Sequence, residues 1–285
     1  MAAALLFSTG GAAIKAAHLS AWQIASFRSG IAALVLIAAL PPARRGWHLR
    51  TLAVAAAYAF TLILFVLANR LTTSANAIFL QATAPLWVAI LSPLLLREPI
   101  HRIDLLYMGA VAAGMSLFLT SFDTPLVTAP DPARGNLFAI ASGITYALML
   151  TGLRWIGRNR TSDAGLATVA AGNVLAFAIA LPPALPVATL AAGDVAVLLY
   201  LGVAQVGLAY WCLTRGIGHV PAFEAVTTLQ LEVAMNPTWT WMLHGERPGA
   251  RSLTGGAIIV CATLLNTYRQ SASSPAPDML KNKQG

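Results

Sequence analysis

Residues 72–99, TTSANAIFLQATAPLWVAILSPLLLREP, decide how the rest of the chain is read. The stretch holds more than 20 consecutive residues without a charged side chain, enough to cross a hydrocarbon core of ~30 Å. Asn76, Gln81 and Thr83 are threaded through it, Pro85 interrupts it, and Arg97-Glu98-Pro99 ends it. Residues 221–248, PAFEAVTTLQLEVAMNPTWTWMLHGERP, follow the same plan. Glu98 aligns with Glu246 and Leu95 with Leu243, while Leu80-Gln81 matches Leu229-Gln230 once one residue is dropped between. Identities are few, so composition, spacing and the shared acidic stop carry the comparison. They point to a duplicated set of membrane helices.

Composition agrees. Of 285 residues, 58% are hydrophobic and 10% charged, and the mean hydropathy is +0.71. Soluble domains carry about 25% charged residues, and a soluble protein this apolar could not cover its own surface. The formal charge of +8 would suggest nucleic acid in a soluble protein. Here the basic residues belong in short loops on one side of a membrane, and no nucleic-acid partner is expected. Cys212 and Cys261 fall inside apolar runs and read as small buried hydrophobes. The opening MAAALLFSTGGAAIKAA lacks a basic n-region, so a first membrane helix starting near Met1 fits better than a cleaved signal.

Apolar runs give ten predicted helices, at about 2–17, 20–40, 51–69, 73–96, 103–121, 135–156, 164–182, 194–214, 221–243 and 252–268. The fold class is therefore an all-α polytopic membrane protein. Residues 1–121 form one five-helix repeat, 122–134 an outward-facing linker, 135–268 a second five-helix repeat and 269–285 a disordered cytoplasmic tail. With the N-terminus inside, 12 Lys and Arg residues face the cytoplasm, among them Arg44, Arg45, Arg97 and Arg158. Five face outward: Lys15, Arg70, Arg134, Arg247 and Arg251. Both termini are then cytoplasmic. An odd number of spans per half inverts the second copy, the architecture of alternating access.

Catalysis is not expected. The histidines lie in loops or at helix ends, and HExxH, GxGD and GxSxG are absent. Ser142-Gly143 reads as a small-residue packing site. No catalytic residue, metal or cofactor is expected. The glycines Gly10-Gly11, Gly109, Gly114, Gly202, Gly207 and Gly255-Gly256 read as points of close helix approach.

Intramembrane charges are more informative, because one at the bilayer centre costs about 2.5–3.5 kcal/mol even on lenient scales. Arg28 lies two turns into the second helix, where it either snorkels, holds a backbone carbonyl, or serves function. Glu224 sits near a helix end, as a wet cap or a cavity group. Glu232 lies deeper and needs a partner or a proton. Asn76, Phe79, Leu80, Thr83 and Trp87 fall on one face of the fourth helix, and Glu224, Thr227, Thr228, Leu231 and Met235 on one face of the ninth. Such mixed stripes are expected either to line a cavity or to hydrogen-bond between helices. Tyr58, Tyr146, Gln205 and Tyr210 from the third, sixth and eighth helices would complete a cavity wall. The expected substrate-binding set is Asn76, Phe79, Leu80, Thr83, Tyr58, Tyr146, Gln205, Tyr210, Thr227, Thr228 and Glu232.

The opening LLFSTGGAAIKAAHLSAWQIASFRSGIAALVLIAAL resembles the start of an EamA-type member of the drug/metabolite transporter superfamily. Its small-residue first helix ends at Lys15, and its second carries the step Arg28-Ser29-Gly30. Pro85…Glu98…Gly109…Gly114 is similar to the family's end-of-repeat pattern. The second copy departs from it: Val233 stands where the proline would be, Pro237 is offset, and Cys261 replaces the second glycine. The resemblance covers residues 1 to about 268. It implies ten helices in two inverted repeats around a central cavity, and export of amino acids, related metabolites or drugs. Within the family the chain looks most like the YddG group of aromatic amino-acid exporters of the bacterial inner membrane. A phosphate carrier would want Lys or Arg in the cavity helices, and the fourth and ninth helices have none.

The function expected is a non-enzymatic secondary transporter exporting aromatic or large apolar amino acids. A broad drug or cation exporter and a lipid-carrier flippase are the alternatives. Its partners would be the small-molecule substrate and membrane lipid, and its unit a monomer.

Overall fold

The computed structural model describes residues 1–95, 102–119, 125–157, 163–187, 189–216 and 222–273. Among these the structure is all-α, with one isolated bridge between Leu126 and Ala129. The helices are α1 (Ala2–Ser8), α2 (Gly10–Ala16), α3 (Ala21–Ala39), α4 (Leu49–Leu71), α5 (Ser74–Gln81), α6 (Ala84–Leu95) and α7 (Arg102–Leu119). After the central loop come α8 (Pro132–Gly157), α9 (Asp163–Ala184), α10 (Ala192–Leu199), a π segment (Tyr200–Leu208), α11 (Ala209–Gly216), α12 (Ala222–His244) and α13 (Ala250–Ser273). Among the described residues six helical stretches are long and apolar enough to cross a membrane, and three shorter apolar helices accompany them.

Helical segments cover most of the expected runs among the described residues, with three interruptions. The first breaks at Thr9, whose hydroxyl turns back to Leu6 O. The fourth breaks at Ala82-Thr83, just before Pro85, which cannot donate a backbone bond. The eighth carries the π segment in its middle. One boundary moves: the expected tail starts at 269, yet α13 continues to Ser273, and residues 274–285 lie outside the described set.

Helices from the two halves interleave. In the main pairings α3 packs on α9, α4 on α8 and α9, α7 on α13, and α1 on α12. Close approach depends on glycine. A Cβ on Gly202 would stand 2.6 Å from Ile31 and 2.9 Å from Arg28 O, and one on Gly30 2.8 Å from Phe177. Gly109 is the exception to the expected packing role, with nothing within 4 Å of a Cβ. Leu34, Leu106 and Leu265 project from the outer flank, where lipid rather than water is the fitting solvent.

One end of the bundle is tied by a buried network. Lys15 Nζ lies 3.0 Å from Glu246 Oε1, their side chains being 2% and 1% exposed. Lys15 also donates to Thr72 O at 2.9 Å and to Thr128 O. Thr128 Oγ1 donates to Glu246 Oε1 at 3.1 Å, and the Ser74 amide to Glu246 Oε2 at 2.9 Å. That amide belongs to the first turn of α5, where a carboxylate is favoured. Gly245, at φ 66°, caps α12 and turns Glu246 back towards the bundle. Lys15 and Glu246, read from sequence as an outward-facing charge at a helix end and a helix stop, are thus a buried ion pair joining α2, α5, the ends of α4 and α12 and the central loop.

Candidate functional site

A cavity of 570 Å³ lies between α1, α3, α4, α5, α6, α8, α12 and the π segment with α11, within the usual size range of small-molecule sites. Its wall is mostly apolar and aromatic: Phe7, Leu62, Phe65, Ile78, Leu229 and Val233, with Tyr58, Tyr146 and Tyr210. Tyr210 stands edge-on to Phe7 at 5.1 Å and to Tyr58 at 5.7 Å between ring centroids, the arrangement aromatic quadrupoles favour. The Asn173 amide donates to Tyr58 Oη at 3.4 Å.

Two polar members, Gln81 and Gln205, come from breaks in regular helix. Gln81 ends α5, and its amide donates to Ser142 Oγ at 2.7 Å. Ser142 in turn donates to Thr61 O, and Thr61 to Thr145 Oγ1 at 2.9 Å. Gln205 lies on the π segment. In an α-helix, at 100° per residue, Gln205 and Tyr210 would point about 140° apart; the i→i+5 turn brings both onto the cavity. Arg28 and Glu232 also line the cavity, and no ion pair joins either to another group among the described residues.

Of the residues expected at the site, the structure brings Tyr58, Tyr146, Gln205, Tyr210 and Glu232 to this cavity. It places Asn76, Phe79, Leu80 and Thr83 elsewhere. Asn76 Nδ2 donates to Thr72 Oγ1 and Asn136 Oδ1, both at 3.3 Å, in a buried cluster between helices. Phe79 packs on Phe118 and against Gly256 of α13. Leu80 is in the core, and Thr83 closes the helix break by donating to Leu80 O at 2.6 Å. The polar stripe of the fourth helix is an interhelical seam; its cavity-facing residues are Ile78, Gln81, Ala82, Ala84 and Pro85. The side chains of Glu224, Thr227 and Thr228 lie outside the described residues. Arg28 is a correction of another kind: a cation does line the cavity, from the second helix, so its absence from the fourth and ninth excludes no anionic group.

Known proteins add three findings. A solved crystal structure shares the fold at a TM-score of 0.62, with 18% identity over 96% of each chain. No curated protein matches the chain. The EamA-like transporter family matches residues 1–120 and again 133–268. With apolar helices of membrane-spanning length around a solute-sized cavity, the chain belongs to the EamA-like transporter family, a family of membrane transporters in the drug/metabolite transporter superfamily.

Proposed function

We propose that the chain is a secondary transporter of the bacterial inner membrane that exports amino acids with aromatic or large apolar side chains by alternating access. The observation that carries this reading is the cavity itself: a wall of aromatic rings with one cation, Arg28, and one acid, Glu232, not paired with each other. Ring faces and edges suit an aromatic side chain, and a cation set apart from a carboxyl group that can accept a hydrogen bond suits a zwitterion. An exporter of cationic drugs would not gain from a buried arginine in its cavity. The proposed site residues are Tyr58, Tyr146, Gln205, Tyr210, Glu232 and, from the helix break, Gln81.

Counting α1 with α2, α5 with α6, and α10 through α11 as single spans, the chain has ten, five before the central loop and five after. The second five are the inverted copy of the first. What supports this division is the pairing pattern. Second packs with second (α3 on α9) and fifth with fifth (α7 on α13). First packs with fourth both ways round, as α1 on α12 and α8 on α6. Both termini are cytoplasmic on the basic-residue bias, so the Lys15–Glu246 network is the outer gate, closed here.

The test is transport into liposomes carrying the purified protein. Labelled phenylalanine is expected to exchange saturably, while labelled lysine and a fluorescent lipid analogue stay near the rate of protein-free liposomes. Lipid movement exceeding phenylalanine exchange would replace this reading with a flippase; lysine exchange exceeding it would point to a cation carrier.

A further inference from the structure

The geometry points to Arg28 as the group that receives the carboxylate of the transported solute. The inference rests on the cavity being the transport site, but it can fail separately from the choice of amino acid.

Arg28 is 1% exposed and lines the cavity. A guanidinium offers five N–H donors. Here one bond is made, from Nη2 to Leu62 O at 3.1 Å, and Nε has no partner. Among the described residues no carboxylate forms an ion pair with it. A buried cation in this condition is costly, and a purely structural arginine would have its fork filled.

Snorkelling does not relieve it. A capping box of Ser20 and Gln23 fixes the start of α3, and Arg28 lies two turns further in. Its backbone is held from two sides, by Gly202 of the π segment against Arg28 O and by Phe177 of α9 against Gly30. The side chain therefore ends in the cavity with donors unused. A carboxylate supplies what is missing, because its two oxygens match the planar fork. Gln205 Oε1, also on the cavity wall and also without a partner, adds an acceptor for the ammonium of the same solute. Glu232 adds a second. A phosphate monoester fits less well, because Arg28 alone among the described lining residues would have to balance its two negative charges.

The experiment measures binding to the purified full-length protein by four probes of one shape: L-phenylalanine, 3-phenylpropionate, 2-phenylethylamine and phenyl phosphate. Each is titrated against wild type, Arg28→Gln and Arg28→Lys, by tryptophan fluorescence and by thermal shift. Wild type should bind the two carboxylates at least about tenfold more tightly than the amine, the worth of one charged hydrogen-bonded contact. Arg28→Gln should erase that preference without lowering the ligand-free melting temperature, and Arg28→Lys should restore part of it. Binding of 3-phenylpropionate but not phenylalanine, lost in Arg28→Gln, keeps the role of Arg28 and removes the amino-acid reading. Preferential binding of phenyl phosphate overturns the carboxylate assignment. So does an unchanged carboxylate preference in Arg28→Gln, or a fall in ligand-free stability with that preference intact. If Arg28→Gln does not fold, the wild-type series still decides: equal affinity for phenylalanine and 2-phenylethylamine overturns the proposal.

Discussion

Glu246→Gln should lower the stability of the purified protein by about 3–5 kcal/mol, the usual cost of stranding one partner of a buried ion pair. Lys15 is enclosed at 2% side-chain exposure, with Glu246 as its counter-ion. Two backbone carbonyls, Thr72 O and Thr128 O, would remain to it, and neither carries a charge. Lys15→Met should cost a similar amount, because it leaves Glu246 facing only the Ser74 amide and the Thr128 hydroxyl. The double variant Lys15→Met/Glu246→Leu should recover most of the loss, since burying two apolar side chains avoids both desolvation penalties. Thermal unfolding in detergent gives all three values. Single-variant losses under about 1 kcal/mol, the worth of an exposed pair, would mean that the end of the bundle is not closed as described. The double variant also separates stability from gating: a folded protein without the pair should exchange solute at least as fast as wild type.

Gly255→Leu should be comparably damaging for a different reason. Gly255 of α13 and Gly114 of α7 meet back to back, and a Cβ on Gly255 would stand 2.7 Å from Gly114 O and 2.8 Å from Phe118. A backbone carbonyl cannot move aside as a side-chain tip can, so the two helices must separate. Overpacking of this kind costs about 1–3 kcal/mol or more, and in lipid close backbone packing is much of what holds helices together. Gly109 lies on α7 with nothing within 4 Å of a Cβ, so Gly109→Leu should be tolerated. Equal melting temperatures for the two variants would contradict the packing of α7 on α13.

Much of the architecture can be read from the chain because the bilayer imposes it: unbroken apolar runs of membrane length leave few alternatives. The tyrosines and Glu232 could be picked out because polar atoms at that depth need a reason to be there. The fourth helix misleads for a physical reason. Asn76, Phe79, Leu80 and Thr83 do share one face, but the cavity meets the neighbouring face of Ile78, Gln81, Ala82 and Pro85. Periodicity also cannot tell a cavity wall from a seam such as Asn76 with Asn136. The Lys15–Glu246 pair spans 231 residues of sequence, and nothing local to either residue announces the other. Arg28 was visible as an anomaly, but only the empty side of its guanidinium gives that anomaly a direction.

The central claim is that the cavity beside Gln81 is the transport site, and a single cysteine tests it most directly. Cys212 and Cys261 are free thiols and would first be replaced by serine or alanine. Gln81→Cys then places a thiol on the cavity wall, and Leu34→Cys, at 72% exposure on the outer flank, serves as the control. Modification with a membrane-permeant maleimide is followed with and without saturating phenylalanine. Phenylalanine should slow modification at Gln81→Cys several-fold and leave Leu34→Cys unchanged, and the modified Gln81→Cys protein should no longer exchange substrate. Equal rates with and without phenylalanine at Gln81→Cys, in a protein that still transports phenylalanine, would place the transport site elsewhere.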